Sequence, residues 1–161
     1  MRIEETRRFR LSRKQVYDYV IDPKTWIHWL AGLIDVTDLD QARWEQPGDQ
    51  IDLVYRLLSH RIETHIELDE IQPAQYVRFH ATAPAVGTVT QEWFYSDAGE
   101  TSTTLRVVCE TSEPTSFFGK DIDPTLVPKA IEKDLKATIG NLEQILANGI
   151  PDPNPGRCQL T

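Results

Sequence analysis

The longest periodic stretch of the sequence runs from about Pro124 to Asn148, and it restricts what the remainder can be. Val127, Ile131, Leu135, Thr138, Leu142 and Ile145 recur every three or four residues, the spacing that places side chains on one face of an α-helix. A helix of about 24 residues is about 36 Å long, enough to cross a small domain. The rest of the chain reads as strands and two short helices, so the expectation is a sheet folded around one long helix.

Ile3 to Leu11 alternates weakly as a strand, with Ile3, Phe9 and Leu11 sharing a parity. Ser12 is placed to cap a short helix, with Gln15 three residues on completing a capping box. Val16, Tyr19 and Val20 are its expected buried face. Asp22-Pro23 starts a second short helix, because Asp is a good N-cap and Pro fits the first helical position. Trp26, Trp29 and Leu30 line that helix and Gly32 ends it.

Leu33 to Leu39 suits a strand, and Asp38 to Gly48 is polar and turn-rich. Gln50 to Leu58 alternates, with Ile51, Leu53, Tyr55 and Leu57 on one side. His60 to Asp69 does the same with Ile62, Thr64, Ile66 and Leu68, and Val77, Phe79, Ala81 and Ala83 share a further face. Thr88 to Tyr95 and Thr101 to Thr111 complete a series of strands joined by short turns, which reads as antiparallel hairpins. A turn centred between Pro73 and Ala74 sets Leu68 opposite Phe79, Glu67 opposite His80 and Asp69 opposite Arg78. A three-residue turn after the next strand sets Trp93 opposite Leu105 and Val89 opposite Cys109. Thr111 to Ile122 is a loop containing Phe117-Phe118-Gly119, and residues 149–161, with three prolines, form a surface tail after a domain spanning 1–148.

Composition bounds the function. The formal charge is −8, which argues against a nucleic-acid or anionic-membrane surface. Cys109 and Cys158 do not make a disulfide framework. The N-terminus has no apolar signal core, and no apolar run approaches the roughly 18 residues of a membrane span, so a cytoplasmic location without membrane insertion is expected. His60 and His65 point to opposite faces of one strand, and no His or Cys pair has zinc-site spacing. There is no phosphate-cradling glycine loop and no nucleophile elbow. No metal or cofactor is expected.

The segment Phe9-Arg10-Leu11-Ser12-Arg13-Lys14-Gln15-Val16-Tyr17-Asp18-Tyr19-Val20-Ile21-Asp22-Pro23, followed by Trp26 and Trp29, resembles the opening of the START-like (SRPBCC) superfamily. The polyketide cyclase/dehydrase and lipid-transport group is the most similar part of it. Gln72-Pro73 and Ala98-Gly99-Glu100-Thr101 resemble that group's turns. The resemblance implies an α+β helix-grip fold: a curved antiparallel sheet of about six to seven strands wrapped around a long C-terminal helix, with two short helices after the first strand. It also implies a cavity between sheet and helix that takes apolar molecules such as lipids, polyketides, sterols or aromatic rings. It supplies no catalytic residues.

Within that frame the residues nominate a site. On the long helix, Ala130, Asp134, Ala137 and Asn141 border the apolar stripe, which also carries Thr138. Small residues there would leave room, and Asp134 and Asn141 would place polar groups beside it, unless the border faces solvent. Trp26 and Trp29 share a helical face, either walling the cavity mouth or packing the core. Trp93 and Tyr95 share a strand face with Gln91, and Tyr55 and Phe79 lie on apolar strand faces. Phe117 and Phe118 form either a lid or a staple at the start of the helix. Asp134 and Tyr95 are the candidate acid–base groups. Three functions remain open: binding or transport of an apolar small molecule, a cyclase- or dehydratase-like enzyme, and a protein-binding adaptor with a filled cavity. The chain is either a monomer or a homodimer.

Overall fold

The computed structural model describes residues 1–151. Most of the expected tail, including Cys158, lies outside the described residues. The elements run β1 (Arg2–Phe9), α1 (Arg13–Ile21), α2 (Trp26–Trp29), β2 (Leu33–Val36), β3 (Gln50–Leu57), β4 (His60–Gln72), β5 (Tyr76–Ala83), β6 (Gly87–Gly99), β7 (Ser102–Thr111), β8 (Ser116–Phe117), β9 (Lys120–Asp121) and α3 (Leu126–Leu146). Strands β1 to β7 form one seven-stranded antiparallel sheet in the order β1-β7-β6-β5-β4-β3-β2. It is the expected helix-grip architecture.

Local signals explain the early elements. Ser12 Oγ accepts from Gln15 N at 3.2 Å and Gln15 Oε1 accepts from Ser12 N at 3.0 Å, a complete capping box. Asp22 accepts from Lys24 N, which caps the turn at Pro23. In α1 the buried face is Val16, Tyr17 and Val20 rather than Tyr19, because Tyr17 packs edge-on against Tyr95 of the sheet at 5.4 Å between ring centres.

The structure corrects four details of the sequence reading. Trp93 opposes Val107, not Leu105, and Val89 opposes Thr111, not Cys109. The β6–β7 hairpin continues to Gly99 and Ser102, so the offset moves by two residues and each side chain keeps its face. Arg78 opposes Glu70, not Asp69, because Asp69 is the extra residue of a β-bulge, and its carboxylate reaches His80 at 2.9 Å instead. Residues 116–121 are a hairpin rather than a loop: Phe118 and Gly119 form its two-residue turn with φ of 50° and 79°, positive at both positions as such a turn requires. The ring of Phe118 is half exposed and stacks on His60 at 4.5 Å, and Phe117 is buried.

Helix α3 contacts β1 at one edge of the sheet and α2, which sits beside β2 at the other. Its buried residues include Val127, Leu135, Thr138, Ile139, Leu142 and Leu146, while Ile131 and Ile145 are only partly covered. Elements besides α3 also cover the inward faces of β3 to β6. Trp26 and Trp29 of α2 and Trp44 of the polar β2–β3 connection help to close them, all buried.

Candidate ligand-binding site

That closure is incomplete. A cavity of about 170 Å³ remains between the sheet and the short helices. Its floor is the inward face of β3 to β6, including Leu53, Ile66, Phe79 and Val89, and α1 contributes Val20 and Ile21. Ile131 is the one residue that α3 adds to the lining.

All four tryptophans of the chain, Trp26, Trp29, Trp44 and Trp93, face this space together with Tyr55, Phe79 and Tyr95. The rings brace one another. Trp44 stands edge-on to Trp26 at 5.7 Å and to Phe79 at 5.8 Å, and Trp29 lies 6.0 Å from Trp93. Such pairs add roughly 0.5–1.5 kcal/mol each beyond area burial, so the walls are stiff. The indole N–H groups of three are satisfied: Trp26 donates to Val20 O at 2.9 Å, Trp29 to Thr25 Oγ1 at 3.0 Å and Trp93 to Gln91 Oε1 at 2.8 Å.

Among the described residues no Asp, Glu, Lys, Arg or His lines the cavity. Its polar side chains are Tyr55, Thr64, Gln91, Tyr95 and the indoles. Burial pushes the Tyr95 hydroxyl well above its ordinary pKa, with a smaller push from Tyr17. Burial also raises Tyr55, followed by the neighbouring Asp134 carboxylate. Both stay protonated at neutral pH.

Seven of the nominated residues therefore share one space: Trp26, Trp29, Tyr55, Phe79, Gln91, Trp93 and Tyr95. The other five do not line it. Thr138 Oγ1 accepts from Ala31 N at 3.0 Å, and Asn141 Nδ2 donates to Trp29 O at 3.1 Å. The Tyr55 hydroxyl donates to Ala31 O and lies 3.4 Å from Asp134 Oδ2. Asp134, Thr138 and Asn141 thus face the α2–β2 connection and Tyr55 and hold that connection in place. Burial raises the Asp134 pKa, opposed by its contact with Tyr55. Phe117 and Phe118 sit against His60 at the end of the β3–β4 hairpin. Phe118 and Gly119 instead border a surface cleft with Pro84 to Gly87 and Ser112 to Pro114.

Trp44 was missed because its neighbours Arg43 and Glu45 are charged and no periodicity marks it. The available signal was a large aromatic residue isolated in a polar connection. The outer face of the sheet also brings together Glu67, Asp69 and His80, with ligand atoms within 4.8 Å of one another. This cluster lies on the side away from the cavity.

Residues 1–147 match the family described as polyketide cyclase / dehydrase and lipid transport. The chain belongs to that family. No curated protein matches the sequence. Among solved structures, the Zhui aromatase/cyclase from Streptomyces sp. R1128 shares the fold with a TM-score of 0.73 at 18% identity, covering 93% of this chain and 99% of that one. The protein CV1439 from Chromobacterium violaceum aligns with a TM-score of 0.69 at 15% identity over 94% and 99% of the two chains. A START superfamily protein from Mycobacterium smegmatis aligns with a TM-score of 0.65 at 16% identity over 99% of each. Among the described residues no helix is long and apolar enough to cross a membrane.

Proposed function

We propose that this family member binds a small, neutral, largely apolar molecule containing an aromatic or similarly flat portion, and carries it rather than transforms it. The observation that supports this most is the lining itself: among the described residues, seven aromatic side chains and no charged one. A ligand charge placed there would lose its hydration without a counter-charge, which costs several kcal/mol. A flat apolar surface would instead gain roughly 25 cal/mol for every Å² removed from water. The size is adequate, since an apolar cavity of about 150 Å³ takes up benzene.

A cyclase- or dehydratase-like activity would need a group that gives or takes a proton near pH 7. The two ionisable side chains of the lining are tyrosines held protonated. Asp134, the carboxylate with a raised pKa, is engaged with Tyr55 at the back of the wall rather than in the lining. An adaptor with a filled cavity sits poorly with a space of about 170 Å³. Native mass spectrometry of the purified protein, followed by denaturing extraction, tests the proposal. A retained neutral molecule of low mass is expected. Recovery of a charged ligand, or of chemically altered product from an added aromatic ligand, would overturn it.

A further inference from the structure

The polar end of the cavity has a fixed sense. Gln91 and Trp93 are two apart on β6 and face the same way, into the cavity. An indole N–H can only donate, and Trp93 donates its own to Gln91 Oε1 at 2.8 Å. This turns the amide oxygen toward Trp93 and leaves Nε2 as the free end, engaged by no hydrogen bond among the described residues. The oxygen has accepted one hydrogen bond, so the N–H₂ end is the part of the amide left wholly without a partner. The strand carbonyls behind it are used in the pairing of β6 with β5 and β7. The remaining polar groups here, the Thr64 and Tyr95 hydroxyls, rotate to suit either sense. The cavity thus carries a fixed, unpartnered N–H₂ donor at Gln91, while the fixed acceptor oxygen of Tyr55, whose proton goes to Ala31 O, lies at the α3 side of the wall.

The geometry points to Gln91 as the residue that selects the ligand, and to a neutral flat molecule presenting a carbonyl-type acceptor. Trp93 is the positioning residue that holds Gln91 in that sense. This inference rests on the cavity being a binding site. A ligand with a carbonyl oxygen reaching Nε2 keeps a partner when it leaves water, whereas a ligand offering only an N–H finds a donor facing a donor. Unpaired buried polar groups are penalised more than paired ones are rewarded, so the discrimination works chiefly by rejection.

The test is a nitrogen-edited NMR titration of the full chain, read at the tryptophan indole N–H signals, with 1-indanone and with indane. The two differ by one carbonyl. The quantity is the ratio of their affinities, compared between the wild type and Gln91→Met, which keeps an unbranched side chain without the amide. The ratio is expected to fall about fivefold or more, the value of one hydrogen bond of ordinary strength. Gln91→Glu, which leaves Trp93 an oxygen partner but replaces the N–H₂ end, is expected to lower the ratio as well, and serves if the methionine variant does not fold. A ratio unchanged within about twofold in a variant that still binds both ligands overturns the role of Gln91 and leaves the cavity reading intact. Failure of the wild type to bind either molecule overturns the cavity reading and this inference with it.

Discussion

At the scale of single residues, burial decides what the ionisable groups can do. Asp134 is half-buried beside Tyr55, and desolvation raises its pKa above the ordinary 3.8. A carboxyl that holds its proton more tightly folded than unfolded lends stability below its unfolded pKa. That stability is lost as pH rises through the folded pKa. Asp134→Asn removes this loss while keeping the shape. Its stability relative to wild type should therefore increase as pH rises above the ordinary carboxyl pKa and level off once the folded pKa is passed, measured by urea melts from acid to neutral pH. A variant less stable than wild type at pH 7 would show that the charge itself holds the α2–β2 connection. Cys109 is fully buried in β7, and burial pushes its thiol up to about 12. Iodoacetamide should leave it unmodified in the native protein and label it only in denaturant, read by peptide mass mapping. Rapid native labelling would mean that the sheet opens around it.

At the scale of elements, the connection between α2 and β2 is the piece on which most of the site depends. Gly32 sits there with φ of 88°, and a Cβ on it would meet the Tyr55 ring at 2.8 Å and Arg56 O at 3.0 Å. Gly32→Ala combines backbone strain with a clash, and should cost about 2 kcal/mol or more while displacing the Tyr55 wall. Thr138→Val should cost roughly 1–2 kcal/mol, because the Ala31 N–H loses its acceptor in a partly buried place. Both are checked by chemical denaturation. A Gly32→Ala variant as stable as wild type would mean that this connection is free to move.

The same elements show what could be read without the structure. Capping chemistry is local, so Ser12, Gln15 and Asp22 announced the helix starts. Face assignment in strands follows parity, so Gln91, Trp93 and Tyr95 were correctly grouped. Offset along a hairpin depends on where the turn closes, and the polar run Ser96 to Glu100 offered several places with similar turn residues. The bulge at Asp69 left no mark because one extra residue in an alternating pattern looks like a change of face. The stripe on α3 was legible, but its outward neighbours were matched to the wrong surface. Asp134, Thr138 and Asn141 would look the same from the sequence whether they met a cavity or the backbone of Trp29 to Ala31.

For the whole molecule, the cavity follows from how few elements cover so wide a sheet. Seven strands present a wide apolar face, and α3, α2 and Trp44 together leave part of it uncovered. An unfilled apolar space forgoes packing that a larger side chain would supply. Ala81 provides a direct test. It lines the cavity from the middle of β5, between Ile66 and Val89 on the flanking strands, and Leu at this position adds an isopropyl group to the space. Filling should stabilise the fold by roughly 0.5–2 kcal/mol, a rise in Tm of several degrees for a domain of this size. The same change should abolish retention of the small molecule in native mass spectra. Gain of stability with loss of ligand would show that the space is kept open at the expense of packing. A fall in Tm would mean that the walls have no room to spare. Retention of the ligand by a stabilised variant would place binding elsewhere on the molecule.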